Sequence, residues 1–327
     1  RQSGFLKPQI NESKTLGSSL YLPYFHVISE NKDLTFKPTI FDSNIIMLQN
    51  EYRQENENSS FIADTGITKG YKSTLEGSKK NTITHLFAKF TSDLNLENFL
   101  KSDLEINLQK TSNDTYLRLF DANIPETEIK PKNNSILVSD IKINLDHENY
   151  NFSSGSILYD SLSGTNNDRY QYVFPYYNFD KSIDTELSGN LQFSSSGSNT
   201  LQNTNNLITK VTNNLSYNSQ DYFSNLGIKN HFGIHFKNFN ATAKNDTVYK
   251  SNLQSELMSI FEASSELPLI KWESDKIKNS LTPKISLRFN PTNMKNHSSK
   301  TRNIDVNNIF TLNRLGIGDS FEAGRSL

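Results

Sequence analysis

The sequence predicts an all-β protein of antiparallel strands, on three observations. Apolar and polar residues alternate with period two along many short segments. Clusters of Asn, Ser and Gly separate those segments, and helical spacing is nearly absent. The composition agrees. Only 34% of the 327 residues are hydrophobic, yet 21 are Phe and 14 are Tyr. A chain that stays disordered for lack of apolar residues also lacks aromatics, so this composition is not that of a disordered chain.

The first elements pose a problem. In "SGFLKPQI" (Ser3–Ile10) a strand opens at Phe5 and Leu6, and Pro8 interrupts it. Fifteen residues on, in "SLYLPYFHV", Pro23 interrupts Leu20, Tyr21, Leu22, Tyr24 and Phe25. Proline has no N–H to give a ladder, so two successive strands each carry a residue that weakens their pairing.

Later strands alternate more cleanly. Leu34, Phe36, Pro38 and Ile40 share a face opposite Thr35, Lys37 and Thr39. Leu104, Ile106 and Leu108 alternate with Glu105, Asn107 and Gln109, and Ile141, Ile143 and Leu145 with Lys142, Asn144 and Asp146. Ile183, Leu187, Leu191 and Phe193 share a face, with Thr185 and Gly189 between them. Leu257, Ile260 and Phe261 fit a helix over Leu253–Phe261, although Ser255–Pro268 also reads as a strand. Leu281, Pro283, Ile285, Leu287 and Phe289 form a last alternating run. Pro38 and Pro283 read as bulges or strand-end kinks. Turns are expected at Asn56–Ser60, Ser161–Asp168, Ser194–Thr200 and Asn293–Asn303, where Asn, Ser and Gly favour local backbone bonds.

Charge and chemistry exclude several classes. With 34 Lys and Arg against 35 Asp and Glu there is no basic bias for nucleic acid. Without cysteine there is neither a disulfide nor a thiolate metal site in the chain. Apolar runs such as Ile45–Leu48 are far shorter than the ~20 residues of a membrane helix. His231 and His235 fall on one strand face, but ~13 Å apart, too far to share one ion. Glu126 and Glu128 read as solvated loop charges. No nucleophile elbow, zincin motif or phosphate-binding Gly loop occurs, so no enzyme, cofactor or metal is expected.

Alternation alone fits a transmembrane barrel, a soluble sandwich or jelly roll, and a β-solenoid adhesin. These differ in which way the apolar face points. No fixed-period repeat supports a solenoid or propeller.

Particular motifs narrow the choice. The opening carries Ser3, Gly4, Phe5, Leu6 and Pro8, then Pro23, Tyr24 and Phe25, then Asn31, Asp33, Leu34, Thr35 and Pro38, then Glu51, Tyr52 and Arg53. Near the end, "NNIFTLNRLGIGD" supplies Phe310, Leu312, Asn313, Arg314, Leu315 and Asp319, and "YVFPYYNFD" surrounds Pro175. These ordered motifs resemble the lipopolysaccharide-assembly outer-membrane protein family, LptD. The chain departs from the family pattern at Ile317, where a glycine is usual and Gly316 and Gly318 stand on either side. The stretch Glu57–Leu162 matches only in strand-like character.

The resemblance implies an antiparallel transmembrane β-barrel in the outer membrane of a Gram-negative bacterium. This chain would supply on the order of 14 strands of a larger barrel. A periplasmic domain would precede Arg1, closing strands would follow Leu327, and the fragment would not fold alone. The implied activity is insertion of lipopolysaccharide into the outer leaflet, without covalent chemistry. The implied partners are lipopolysaccharide, outer-membrane lipids, a plug lipoprotein (LptE-like) in the lumen and a periplasmic bridge protein (LptA-like). Phe5, Leu6, Pro8, Pro23, Tyr24 and Phe25 would form a lateral gate and substrate exit. The loop of Asn313, Arg314, Leu315, Gly316 and Asp319 would help seat the plug or shape the lumen, or serve only as a turn. The competing readings are a porin or receptor barrel and a secreted adhesin or carbohydrate-binding module.

Overall fold

The structure is a computed structural model and describes residues 2–42, 44–70, 82–163, 166–274, 277–292, 308–312, 321–322 and 324–326. It is nearly all antiparallel strand. The first strands are β1 (Gly4–Phe5), β2 (Gln9–Ser13), β3 (Gly17–Tyr21), β4 (Tyr24–Ser29), β5 (Lys32–Phe41) and β6 (Ile46–Glu55). There follow β7 (Ser59–Lys69), β8 (Thr82–Asp93), β9 (Lys101–Thr111), the short helix α1 (Tyr116–Phe120), β10 (Ile136–His147) and β11 (Tyr150–Ser161). The long strands β12 (Tyr170–Ile183), β13 (Gly189–Gln202) and β14 (Asn206–Ser219) come next, then β15 (Tyr222–Phe223) and β16 (Lys229–Lys244). The chain continues through β17 (Gln254–Glu266), β18 (Leu269–Ser274), β19 (Ile277–Leu281), β20 (Lys284–Asn290) and β21 (Gly324–Ser326).

Two compact units divide the chain. The first is Arg1–Asp146, Ser153–Pro175 and Leu201–Thr204; the second is His147–Phe152, Tyr176–Thr200 and Asn205–Leu327. In the first, β4 to β10 pair antiparallel in sequence order. In the second, β14 pairs β16, β16 pairs β17, and β17 pairs β20.

On β5, β6, β8 and β16 the face that carries the charged residues is buried and the opposite face exposes large apolar side chains. On β5, Asp33, Thr35, Lys37 and Thr39 are buried, while Phe36 and Ile40 are exposed. On β6, Gln49 and Glu51 are buried and Ile46 and Leu48 exposed; on β8, His85 is buried and Leu86 exposed. The second unit repeats the arrangement: His235 and Lys237 of β16 are buried, and Phe232 and Phe236 exposed. A soluble sandwich would show the reverse, because its apolar faces pack inward.

The buried face of the first unit is covered by the connection between β9 and β10. Tyr116, Leu117 and Phe120 of α1 are fully buried in a cluster with Phe41, Met47, Ile83 and Phe87. The rings of Phe41 and Phe120 meet edge-on at 6.1 Å. A smaller cluster in the second unit gathers Phe239, Met258, Ile260 and Phe321.

Several expectations change. Pro38 is not a bulge: it lies in register inside β5, opposite Leu48. Pro283 does mark a strand end, between β19 and β20. Ile183 and Leu191 do not share one strand, because β12 ends at Ile183 and a turn bond from Leu187 N to Thr185 Oγ1 separates it from β13. Ser194–Thr200 is no turn but the middle of β13. Its polar side chains bond across strands, Ser195 Oγ to Asn213 Oδ1 and Thr209 Oγ1 to Asn199 Oδ1, both at 2.7 Å. The helix considered for Leu253–Phe261 is strand β17. Glu126 and Glu128 are exposed loop charges, as expected, and each also meets a lysine, Lys130 (2.6 Å) and Lys89 (3.0 Å).

One glycine on β7 is a packing requirement. A Cβ on Gly66 would stand 2.2 Å from His85 Cε1, and that ring is already stacked on Phe87 at 4.5 Å. Gly66→Ala is expected to lower stability by about 1–3 kcal/mol by overpacking. The denaturant midpoint checks this, with Thr65→Ala, a residue of the opposite face, as the neutral control.

Candidate functional site

The first two hairpin arms, β1–β2 and β3–β4, hold the residues singled out at the start of the sequence. They pair antiparallel in two pieces. Gly4 and Phe5 lie opposite Phe25 and Tyr24; Gln9 to Ser13 lie opposite Tyr21 to Gly17. Pro8 sits in the gap between β1 and β2, and Pro23 in the gap between β3 and β4. The register shifts by one residue across this gap, so the prolines sit at a bulge.

The missing donors line up across three neighbouring arms. Leu6 N donates to Pro23 O at 2.8 Å, and Leu22 N donates to Pro38 O at 3.1 Å. Neither proline can return a bond. An intact antiparallel pair would exchange two, so each pair is left with half its ladder. At ~0.5–1.5 kcal/mol net per bond, the two vacancies weaken this waist by about 1–3 kcal/mol.

The ends of the hairpin differ in how they are held. At the turn, Ser13 Oγ accepts Thr15 N and Leu16 N, and Leu16 is buried in the core. Gly17 has φ +79°, where L side chains are strained, and packs on Asp42, whose Oδ2 accepts Ser18 N at 3.1 Å. At the open end, Phe5 meets Tyr24 edge-on at 5.0 Å, and Ser3 Oγ accepts Val27 N at 2.9 Å. Phe5 is 81% exposed and Ile10 82%. Among the described residues, β1 and β2 have a partner on one edge only. The structure therefore brings Phe5, Leu6, Pro8, Pro23, Tyr24 and Phe25 together. Asn313, Arg314, Leu315, Gly316 and Asp319 lie outside the described residues.

Beside this hairpin, on the buried face, runs a chain of charges that the sequence reading did not connect. Lys37 Nζ meets Glu51 Oε2 at 2.6 Å and Asp64 Oδ2 at 3.6 Å. Arg53 Nε meets Asp33 Oδ1 at 2.9 Å. His85 Nε2 faces Asp64 Oδ1 at 3.1 Å, and Nδ1 lies 2.7 Å from the Tyr116 hydroxyl. Burial pushes the Tyr116 phenol up, so it stays protonated. The relay thereby docks α1 onto β7 and β8.

The segment after α1 is fastened by one lysine. Lys130 Nζ donates to Asp121 O (3.0 Å), Ile124 O (3.1 Å) and Glu126 Oε1 (2.6 Å). Burial opposes its charge, but the bonds to Glu126 and Asp121 outweigh that and hold its pKa above the ordinary lysine value. The one available signal was "YLRLF", with Tyr116 and Phe120 four apart. Lys130→Met is expected to expose this connection to proteolysis while the strands persist, because three acceptors lose their donor.

Restoring the waist is a second test. Pro23→Ala returns one donor, and the Leu6 amide is expected to exchange with deuterium about 2- to 12-fold more slowly. An unchanged rate would mean that the missing N–H does not limit opening there.

No family model matches the chain. Among curated proteins, it is similar to the LPS-assembly protein LptD of Ectopseudomonas mendocina (strain ymp), with 37% identity over 59 residues. The matched stretch is 18% of this chain and 6% of that protein's length, so the likeness supports an LptD-like relationship at its coarsest.

Proposed function

We propose that this chain forms part of an outer-membrane β-barrel that delivers lipopolysaccharide to the outer leaflet. The observation that carries the reading is the exposure of the apolar strand faces. Phe36, Ile40, Ile46, Leu48, Ile67 and Leu86 lie exposed on four consecutive strands, β5 to β8. Soluble monomers rarely leave so continuous an apolar surface in water. In lipid the same surface is favourable, provided every backbone group is paired, and strands achieve that by laddering. This counts against the secreted adhesin, which needs its apolar faces inside.

The motifs of the first hairpin, together with the short LptD match, supply the substrate. Lipopolysaccharide joins a large sugar head to acyl chains. A transporter must keep the sugars in a wet interior while the chains leave sideways, and a fully bonded wall blocks that exit. The waist at Pro8 and Pro23 supports an exit there, next to an edge with one partner. A porin or receptor barrel has no use for weakened pairing in two successive arms. The remaining parts of the proposal are the plug lipoprotein in the lumen, held in part by the Asn313–Asp319 loop, and the periplasmic bridge protein.

Two measurements test this. Leu48→Arg is expected to cost about 2–4 kcal/mol of folding stability in vesicles if this face meets the bilayer midplane. A change within ~0.5 kcal/mol, usual for a solvated surface position, would sink the membrane assignment. Photocrosslinkers at Phe5, Leu6 and Phe25, in cells making the full-length protein, are expected to capture lipopolysaccharide, and one at Leu287 is not. No adduct at any of the three, with the protein correctly in the outer membrane, would leave a barrel of another function.

A further inference from the structure

We infer that the face of the second unit carrying Lys210 and Thr212 holds a partly open subsite for an anionic saccharide, lined by Asn178, Ser196, Lys210, Thr212, Phe239 and Tyr249. The source of that saccharide rests on the lipopolysaccharide reading above. These residues border a cavity of about 510 Å³, within the ~300–1,000 Å³ of small-ligand sites.

The strands place the groups by parity. On β14, Leu215 and Tyr217 share the apolar face with Phe232 and Phe236 of β16. Lys210 and Thr212 are of the other parity, and Thr212 stands opposite Phe239 in the ladder. Phe239 is buried, so its ring is a fixed wall.

Tyr249 arrives from the connection between β16 and β17, and that connection is fixed by Asp246. Its Oδ2 accepts Val248 N at 2.8 Å and Tyr249 N at 2.7 Å, and its Oδ1 accepts Asn206 Nδ2 at 3.3 Å. The Tyr249 ring centroid lies 6.0 Å from that of Phe239 and 5.4 Å from Lys210 Nζ. Two aromatic walls and an ammonium are therefore in place before any ligand enters.

The chemistry of the lining selects the ligand class. Ring faces carry negative quadrupole density and suit the C–H faces of a pyranose. The hydroxyls and the amide serve as donors and acceptors for sugar hydroxyls. Among the described residues, Lys210 is the single charged group lining the cavity, and no carboxylate accompanies it. A phosphate or carboxylate on the sugar would meet that ammonium in a charge-assisted bond. A metal cation or a basic peptide would be repelled.

The test uses photocrosslinkers at Thr212 and, for comparison, at Phe5, in the full-length protein. Cells make either complete lipopolysaccharide or a form truncated to its innermost sugars. The expected result is an adduct at Thr212 with complete lipopolysaccharide, reduced about tenfold with the truncated form and about tenfold by Lys210→Ala, while the Phe5 adduct persists throughout. An adduct at Phe5 with none at Thr212 overturns the subsite and leaves the transport reading standing. An equal Thr212 adduct with both forms, unchanged by Lys210→Ala, also overturns it, because the contact would need neither the outer sugars nor the ammonium. No adduct at either position overturns both. Lys210→Gln repeats the charge loss at conserved length, and heat-modifiable migration confirms that each variant is folded.

Discussion

Lys37 and Glu51 meet at 2.6 Å with both side chains buried. That contact expresses the constraint on which the rest depends. A buried charge costs several kcal/mol unless it is paired, and removing one partner of such a pair costs about 3–5 kcal/mol. Period-two alternation puts every second residue on the buried face, so polar residues there must find one another. They do so in order across strands: Asp33 with Arg53, Lys37 with Glu51 and Asp64, Asp64 with His85. The same parity drives Phe36, Ile40 and Leu48 outward. A one-residue slip of β6 would exchange the two faces and strand Glu51 among apolar groups. The buried ion pairs thus enforce register as well as contributing enthalpy.

Against the continuous ladders of this region, the first hairpin stands out by what it lacks. β5 to β9 ladder without interruption over nine to eleven residue pairs each. β1 to β4 come in pieces of two to six residues, divided at Pro8 and Pro23. The turn end is held by Leu16, Gly17 and Asp42, and the open end by Ser3 Oγ and an aromatic edge contact. Such a hairpin yields first at its waist and open end, because local stability follows the density of paired and buried groups. Pro38 extends the weak line to β5 without disturbing register, since its carbonyl still accepts Leu22 N.

Much of this could be read from the sequence, and the failures have physical causes. Strand identity was legible wherever both faces had a clear sign, as in Leu34–Ile40 or Leu104–Gln109. Prolines were legible because their defect is intrinsic to the residue. Serine and asparagine misled at Ser194–Thr200, because these side chains bond either their own backbone or a neighbouring strand, and only the neighbour decides. In β13 that neighbour is Asn213. The inward docking of α1 was invisible because it depends on Asp64, His85 and Tyr116 meeting across distant positions. Gly66 looked ordinary until the His85 ring occupied the space beside it.

The lengths of the later strands bear on how a barrel of this kind would sit in a bilayer. β13 and β14 have 14 residues each and β16 has 16. At ~3.3 Å per residue these extend about 46–53 Å, or about 35–40 Å along the membrane normal at a tilt of ~40°. The apolar band of an outer-membrane barrel is only ~25 Å tall. Some 10–15 Å of each strand must then lie beyond hydrocarbon, and its outer face must become polar. On that face Phe232, Ile234 and Phe236 of β16 give way to Asn238, Asn240 and Thr242. Asn213 Nδ2 donates to Asn238 Oδ1 at 3.2 Å, and Ser195 Oγ to Asn213 Oδ1 at 2.7 Å. Side-chain amides and hydroxyls linked from strand to strand would be costly against acyl chains and are comfortable against water or lipid headgroups. In such a barrel the turn in sign along β16 would mark where the band ends, and the cavity lies at the level of that polar extension, with Lys210 and Thr212 on the other face of β14.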